Sequence, residues 1–482
     1  MNIKKVLLIP LLTLSLVSCG TTDGLDDLGD EFAYTYDANS ETYTFVAYGG
    51  DETSITIPGS YDDGTNGVHS VSTIALECLI GNSTVKNIEV GEGVETISSY
   101  AFANSGIETI TLPSTLTLIG DEAFKNCTSL KTVSISSEAN VTLGVESFAN
   151  CTSLTSFTHP YNMVDTTVPE GAFSGCTSLR TFTFSPYTLE IEDDAFYGCT
   201  SLTTLNNFNN YIADIGERAF YNCSSLAIES LPDGIYTIGD YAFYSCNSLT
   251  SVILPDDLRM IGEFSFAMSS NIDEVVLNAN VAYIPSTAFV GLPHLEMFAF
   301  ADSVENVHYE VVDGVLFNDD VTTLVTYPGG LLDANYVVPS SVSAIENYAF
   351  YETQLTSIDF SLTSITSLSH SAFAYSKLTS ITLPANANVH IESYAFYHSS
   401  NLEQIINSSS VTYIEAYAFS NCDSLGTTTP VEFENIEYVG MSAFSGLSAD
   451  SEIHFGCPET ATSGWDSLYD INSEAQFVFA NN

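Results

Sequence analysis

The chain has 482 residues, 45% of them apolar, which supplies a long core and excludes a disordered chain. Nine Lys and Arg oppose 60 Asp and Glu, a formal net charge of −51. A surface of that sign repels phosphate backbones and copies of itself, so no nucleic acid is expected and the chain reads as a monomer.

Residues 1–18 read as an export signal, with Lys4 and Lys5 ahead of the apolar stretch Val6 to Val17. The end, Leu16-Val17-Ser18-Cys19, resembles the bacterial lipobox. That resemblance implies a diacylglyceryl thioether on Cys19, whose two acyl chains would give a stable membrane anchor. The alternative is an ordinary secretory signal that ends in Ser-Cys. Removing the signal leaves 7 basic against 60 acidic residues, a net charge of −53. No later apolar run is long enough to span a bilayer. Residues 19–33, with five acids among Gly and Thr, predict a flexible tether.

From there the chain repeats itself. Ala-Phe or Ser-Phe recurs with its Phe at 102, 124, 148, 173, 196, 220, 243, 266 and 289, and again at 350, 373, 396, 419 and 444. Apart from one gap of 61 residues, the steps are 22–25 residues. Within a copy, Leu378 to Leu383 alternates apolar and polar residues at its end and predicts a short strand. Pro113, Pro255 and Pro384 follow such strands and lack the amide that would prolong pairing. A second apolar pair, Leu118-Ile119, reaches the next corner, where Gly120 suits a tight turn. Ala-Phe then sits on a brief helical turn, its Phe packed on the Phe of the next coil. One copy cannot bury its apolar face, but about fifteen stacked at 4.7–4.9 Å would, over roughly 70 Å.

The pattern Ile-Gly-x-x-Ala-Phe-x-x-Cys-x-Ser-Leu-x-x-Ile-x-Leu-Pro resembles the BspA-like leucine-rich repeats of bacterial surface proteins, over roughly residues 70–450. The resemblance implies a leucine-rich-repeat solenoid, a curved parallel β-sheet with short helical turns. It implies a β-hairpin-type N-terminal cap over 34–72, repeat arrays over 73–300 and 341–450, and a hairpin-bearing long repeat over 301–340 that fills the gap. Residues 451–482, with Trp465 and Tyr469, read as the C-terminal cap, because a solenoid must cover its open end.

Seven cysteines, Cys127, Cys151, Cys176, Cys199, Cys223, Cys246 and Cys422, stand three residues after the repeat Phe. They predict one interior column of free thiols; disulfides between adjacent coils and a metal site are the alternatives. Cys78 and Cys457 lie off that column and cannot be paired from the sequence. No zinc helix, P-loop, nucleophile elbow or EF-hand spacing occurs, and no enzyme activity and no tightly bound metal are expected. The eight His are scattered. His390 and His398, the closest pair, flank a repeat Phe and read as coil-surface positions.

Three stripes follow from the period. Thr109, Thr111, Thr132, Ser134, Ser156, Thr158, Thr181, Thr183, Ser380 and Thr382 point outward from the strands, on the concave sheet if the usual arrangement holds. They suit hydrogen bonding to protein or glycan, or merely suit an exposed strand. Glu170, Asp193, Glu217, Asp240 and Glu263 stand three residues before the Phe, with Asp121 apart, as a candidate ridge for weak Ca²⁺ or a plain solvated row. Tyr197, Tyr221 and Tyr244 follow the Phe, and Tyr348, Tyr394 and Tyr417 precede it. They suit sugar stacking or a protein hot spot, or pack on one another. The resembled family implies a surface adhesin that binds host or neighbouring-cell proteins. A glycan-capturing nutrient lipoprotein and a structural envelope component are the alternatives.

Overall fold

The computed structural model describes residues 26–28, 32–160, 166–301, 306–385 and 387–480. The export signal and Cys19 lie outside the described residues. The chain is a parallel β-solenoid of about 17 turns, two more than the period suggested, with almost no helix. Helix among the described residues is confined to the 3₁₀ segments Ser408–Ser410 and Glu459–Gly464.

Most coils contribute to two ribbons of parallel sheet. The first is the expected one, for example Thr109–Leu112 beside Thr132–Ile135, and Ser156–Thr158 beside Thr181–Thr183. The second is built from the pair before the glycine: Leu118–Ile119 lies between Thr96–Ile97 and Thr142–Leu143. The pair expected only to reach a corner is therefore a strand. Two residues carry too little alternation to announce one. Gly120 keeps an ordinary backbone conformation, and its reason is close approach: a Cβ there would lie 2.6 Å from the Ser99 amide nitrogen.

The expected helical turn around Ala-Phe is also absent. Residues two before and two after the Phe, such as Glu122 (φ 53°) and Asn126 (φ 60°), are left-handed. Alternate amides then divide their work. Ala123, Lys125 and Cys127 donate within the turn to Gly120, Glu122 and Phe124, while Glu122, Phe124 and Asn126 donate to Val145, Ser147 and Ala149 of the next coil. A helix would turn every amide inward along its own axis and leave the coils unconnected on this side.

Inside, the repeat Phe rings stack face to face at 4.9–5.7 Å from Phe102 to Phe289. Tyr327 restarts the column on Phe350, which continues to Phe444. Between them an antiparallel pair, Tyr309–Val312 and Val315–Asn318, crosses the interior. Side chains alternate across a strand. Leu316 therefore faces the upstream core, and Val315 and Phe317 face the downstream one. The long repeat is a partition between two cores.

At the N-terminal end Phe32–Asp37 and Thr42–Tyr48 form an antiparallel hairpin. Within the segment expected to be a flexible tether, Asp26–Leu28 pairs with Phe32–Tyr34. At the other end Trp465 packs edge-on to Phe455 at 4.9 Å and donates its indole N–H to the Glu437 carbonyl.

Candidate binding surfaces

The hydroxyl stripe lies on the first ribbon in flush register. Thr132 stands beside Thr109, Ser134 beside Thr111, Ser156 beside Thr181 and Thr158 beside Thr183. Thr132, Ser134, Ser156 and Thr158 are exposed, Thr181 and Thr183 half-buried. The row is partly self-satisfied, since Asn206 donates to the Thr183 hydroxyl at 3.1 Å. It is also broken, because Thr132–Ile135 and Ser156–Thr158 belong to different sheets and residues 227–230 form no strand between Thr204–Asn206 and Ser251–Ile253.

Glu170, Asp193, Glu217, Asp240 and Glu263 are all exposed at the edge of the left-handed turns. Some of their carboxylates have a local task. Asp193 accepts the Glu217 amide at 2.6 Å, Asp240 the Glu263 amide at 2.7 Å, and Asp121 the Val145 amide at 3.0 Å, each from the next coil. Backbone donors at the turn thus give these acids a reason to recur. Among the described residues no group of three or more His, Cys, Asp or Glu converges to hold a metal ion.

The cysteine column is interior and reduced, with no disulfide among the described residues. Each thiol donates to the carbonyl of the Phe one coil earlier, as from Cys151 to Phe124 and from Cys223 to Phe196, both at 3.2 Å. Burial pushes the thiols up, Cys127 to about 11 and Cys176 and Cys246 to about 12, so they stay protonated and unreactive at neutral pH.

The tyrosines form the most continuous exterior feature. Tyr197, Tyr221 and Tyr244 stack at 4.9 Å with interplanar angles of 7° and 4°. Beside them Tyr241 stacks on Phe264, which meets Tyr348 edge-on across the long repeat. The row continues through His370 to Tyr394, which stacks on Tyr417 at 5.0 Å. Tyr351, Tyr375 and Tyr397 run parallel to it. The expectation named Tyr348, Tyr394 and Tyr417 but missed Tyr241, Tyr351, Tyr375 and Tyr397, which a search at the same period would have found. His398 belongs to this band, its ring flat on Tyr375 at 5.1 Å. His390 instead pairs with Glu415 at 2.9 Å, while the Ser393 hydroxyl donates to Glu415 and not to the imidazole. This is no nucleophile–base pair.

Known proteins agree with this architecture. The family model for the BspA type leucine-rich repeat region matches residues 68–167, 142–227, 189–315 and 334–455. A leucine-rich repeat protein from Bacteroides ovatus ATCC 8483 is 18% identical over 94% of this chain and 100% of its own, with a TM-score of 0.51. A leucine-rich cell surface protein from Faecalibacterium prausnitzii A2-165 is 20% identical over 95% of both chains, with a TM-score of 0.46. The pneumococcal vaccine antigen PcpA is 17% identical over 95% of this chain and 98% of its own, with a TM-score of 0.40. No curated protein sequence matches the chain. Proteins with these repeats are typically bacterial surface proteins without catalytic activity. No helix among the described residues is long and apolar enough to cross a membrane. With more than half of its length matched, the chain belongs to the BspA type leucine-rich-repeat family.

Proposed function

We propose that this protein is a lipid-anchored bacterial surface adhesin, held through Cys19, that binds a protein of a host or neighbouring cell through its tyrosine band. The observation that carries the reading is the parallel stack of Tyr197, Tyr221 and Tyr244. Stacked rings are already immobilised, so a partner gains large amphipathic contacts at small entropic cost. Rings packed face to face offer edges and hydroxyls. That suits a protein surface better than a sugar, which needs an open ring face along its length. The protein acts without catalysis and as a monomer.

A glycan ligand is the second reading, favoured by the uncharged hydroxyls of Thr132, Ser134, Ser156, Thr158, Thr181 and Thr183, which lie flush with their neighbours in two successive stretches of sheet. Protein and glycan arrays probed with the chain freed of its signal and lipidation site, residues 20–482, separate the two. Protein hits that vanish when Tyr197, Tyr221 and Tyr244 are all changed to Ala support the adhesin. Sugar hits that vanish with Thr181→Val and Thr183→Val support the second reading. Binding to neither overturns both. A Cys19→Ser chain is expected to lose lipid labelling and membrane association; unchanged labelling would refute the anchor.

A further inference from the structure

The tyrosine stack has a beginning. Tyr221 covers one face of Tyr197, and on the other side the matching residue of the preceding coil is Ser174, which has no ring. Tyr197 is 38% exposed there. The same coil carries Gly171 at the left-handed turn position where its neighbours carry Glu146, Asp194 and Arg218. The two short side chains border a surface cavity of about 600 Å³ that spans several coils, lined by Glu146, Glu170, Gly171, Ser174 and Tyr197 and also by Arg218 with its neighbours Asp194, Glu217, Tyr221 and Tyr241.

The repeat shows what such a place holds. Two coils later Arg218 occupies the position of Gly171. Its guanidinium lies 3.0 Å from Asp194 and 3.5 Å from Glu217. In the repeat, Glu146 and Glu170 stand over Gly171 as Asp194 and Glu217 stand over Arg218. Both acids are present at Gly171, but this coil places no cation between them, and the Arg218 that lines the same cavity is held by Asp194 and Glu217. Glu146 reaches back to Lys125, and Glu170 has no cationic partner among the described residues.

We propose that the notch over Gly171 receives an arginine side chain of the partner protein, its guanidinium between Glu146 and Glu170 and over the open face of Tyr197. Carboxylates on two sides and an aromatic face on a third select a planar cation over a neutral or anionic group. A chain of net charge −51 is also complementary to a basic partner. The inference rests on the surface-binding reading and adds the chemistry of the ligand.

The test needs no natural partner. The full chain is titrated, at physiological salt, with an uncharged glycine–serine peptide bearing one central arginine, followed by ligand-observed NMR. The same peptide with citrulline, a neutral isostere, is the control. The arginine peptide is expected to bind and the citrulline peptide to bind at least tenfold more weakly. Gly171→Arg fills the notch with the chain's own cation and is expected to weaken the arginine peptide tenfold or more. Arg218 adopts the same left-handed conformation (φ 53° against 59°), so the backbone accepts the change, while Glu146 must give way because its Cγ lies 2.9 Å from the new Cβ position; Tyr197→Leu tests the notch without that shift. Tyr197→Leu is expected to weaken it several-fold. Glu89→Gln, which makes the same change in net charge elsewhere, is expected to keep affinity within twofold. Absent binding, equal binding of citrulline, or wild-type affinity in Gly171→Arg each overturns the notch. None of these results touches the array experiment, so the two readings fail separately.

Discussion

The Cys199 thiol donates to the Phe173 carbonyl at 3.2 Å, and that oxygen also accepts the Cys176 amide at 3.1 Å. One oxygen thus ties the turn of its own coil and the column of the next. Away from Leu292 and Leu447, the slot three residues after the Phe therefore asks for a small buried donor more than for sulfur. Ser269 and Ser399 fill it with hydroxyls that reach Phe243 and Phe373 at 2.8 and 2.6 Å. Cys199→Ser is accordingly expected to fold with stability within about 1 kcal/mol of wild type, whereas Cys199→Ala loses the donor and its packing and costs about 1–2 kcal/mol. Chemical denaturation decides it. Equal destabilisation by Ser and Ala would show that packing of sulfur is what matters.

The thiols also set an alkaline limit. Burial raises Cys127 to about 11 and Cys176 and Cys246 to about 12, above the ordinary 9.0 of the unfolded chain. Between pH 9 and the folded value the unfolded thiol loses its proton and the folded one keeps it. Stability contributed below pH 9 is therefore lost as pH rises, by about 1.4 kcal/mol per unit for each thiol. Melting temperature is expected to fall steeply from pH 9 to 10, and less steeply when Cys176 and Cys246 are both Ser. At pH 8 the column should resist alkylation until denaturant is added. Rapid labelling of several thiols in the native protein would refute the buried column.

The 23-residue rhythm made the Phe column and the cysteine column legible, because interior side chains of a stacked coil must repeat in kind. The turn was not legible. Its left-handed positions hold Glu122, Asp194, Arg218 and Tyr241 as readily as glycine, since the fold dictates φ there while the side chain is free. The position two residues after the Phe did hint at it, with Asn104, Asn126, Asn150, Asn222 and Asn421 and with Gly175, Gly198, Gly291 and Gly446. The second ribbon escaped because backbone pairing of two residues leaves no pattern. The tyrosine stack could be read from spacing. The notch at Gly171 could not, because its signal is the absence of side chains.

The acidic row gives a sharper test of cations. Asp193 and Asp240 already accept next-coil amides at 2.6 and 2.7 Å, which offsets like-charge repulsion locally. Thermal melts with and without millimolar Ca²⁺, at constant ionic strength, are therefore expected to coincide. Asp193→Ala, which hands the exposed Glu217 amide to water, should cost about 0.5–1.5 kcal/mol. A melt raised by several degrees in Ca²⁺ and not in Mg²⁺ would restore the bridged-cation ridge.

The partition at the long repeat predicts how the molecule comes apart. Val315, Leu316 and Phe317 are fully buried on one strand, yet Leu316 packs into the upstream core and its two neighbours into the downstream one. Coils in a solenoid hold each other only through nearest neighbours, so cooperativity should weaken where the Phe column stops at Phe289 and restarts at Tyr327. Outside, the edge contact of Phe264 with Tyr348, at 6.1 Å, is a slender link across this boundary. Trp465, the single tryptophan, lies buried in the downstream core and reports on that half alone. Denaturant titrations should therefore give different midpoints by tryptophan fluorescence and by far-UV circular dichroism. Phe124→Ala, worth about 3–5 kcal/mol as a core cavity, should shift part of the dichroism signal and leave the fluorescence midpoint in place. Phe396→Ala should shift the fluorescence midpoint. Coincident curves that move together in both variants would mean that the partition transmits stability as well as any other coil.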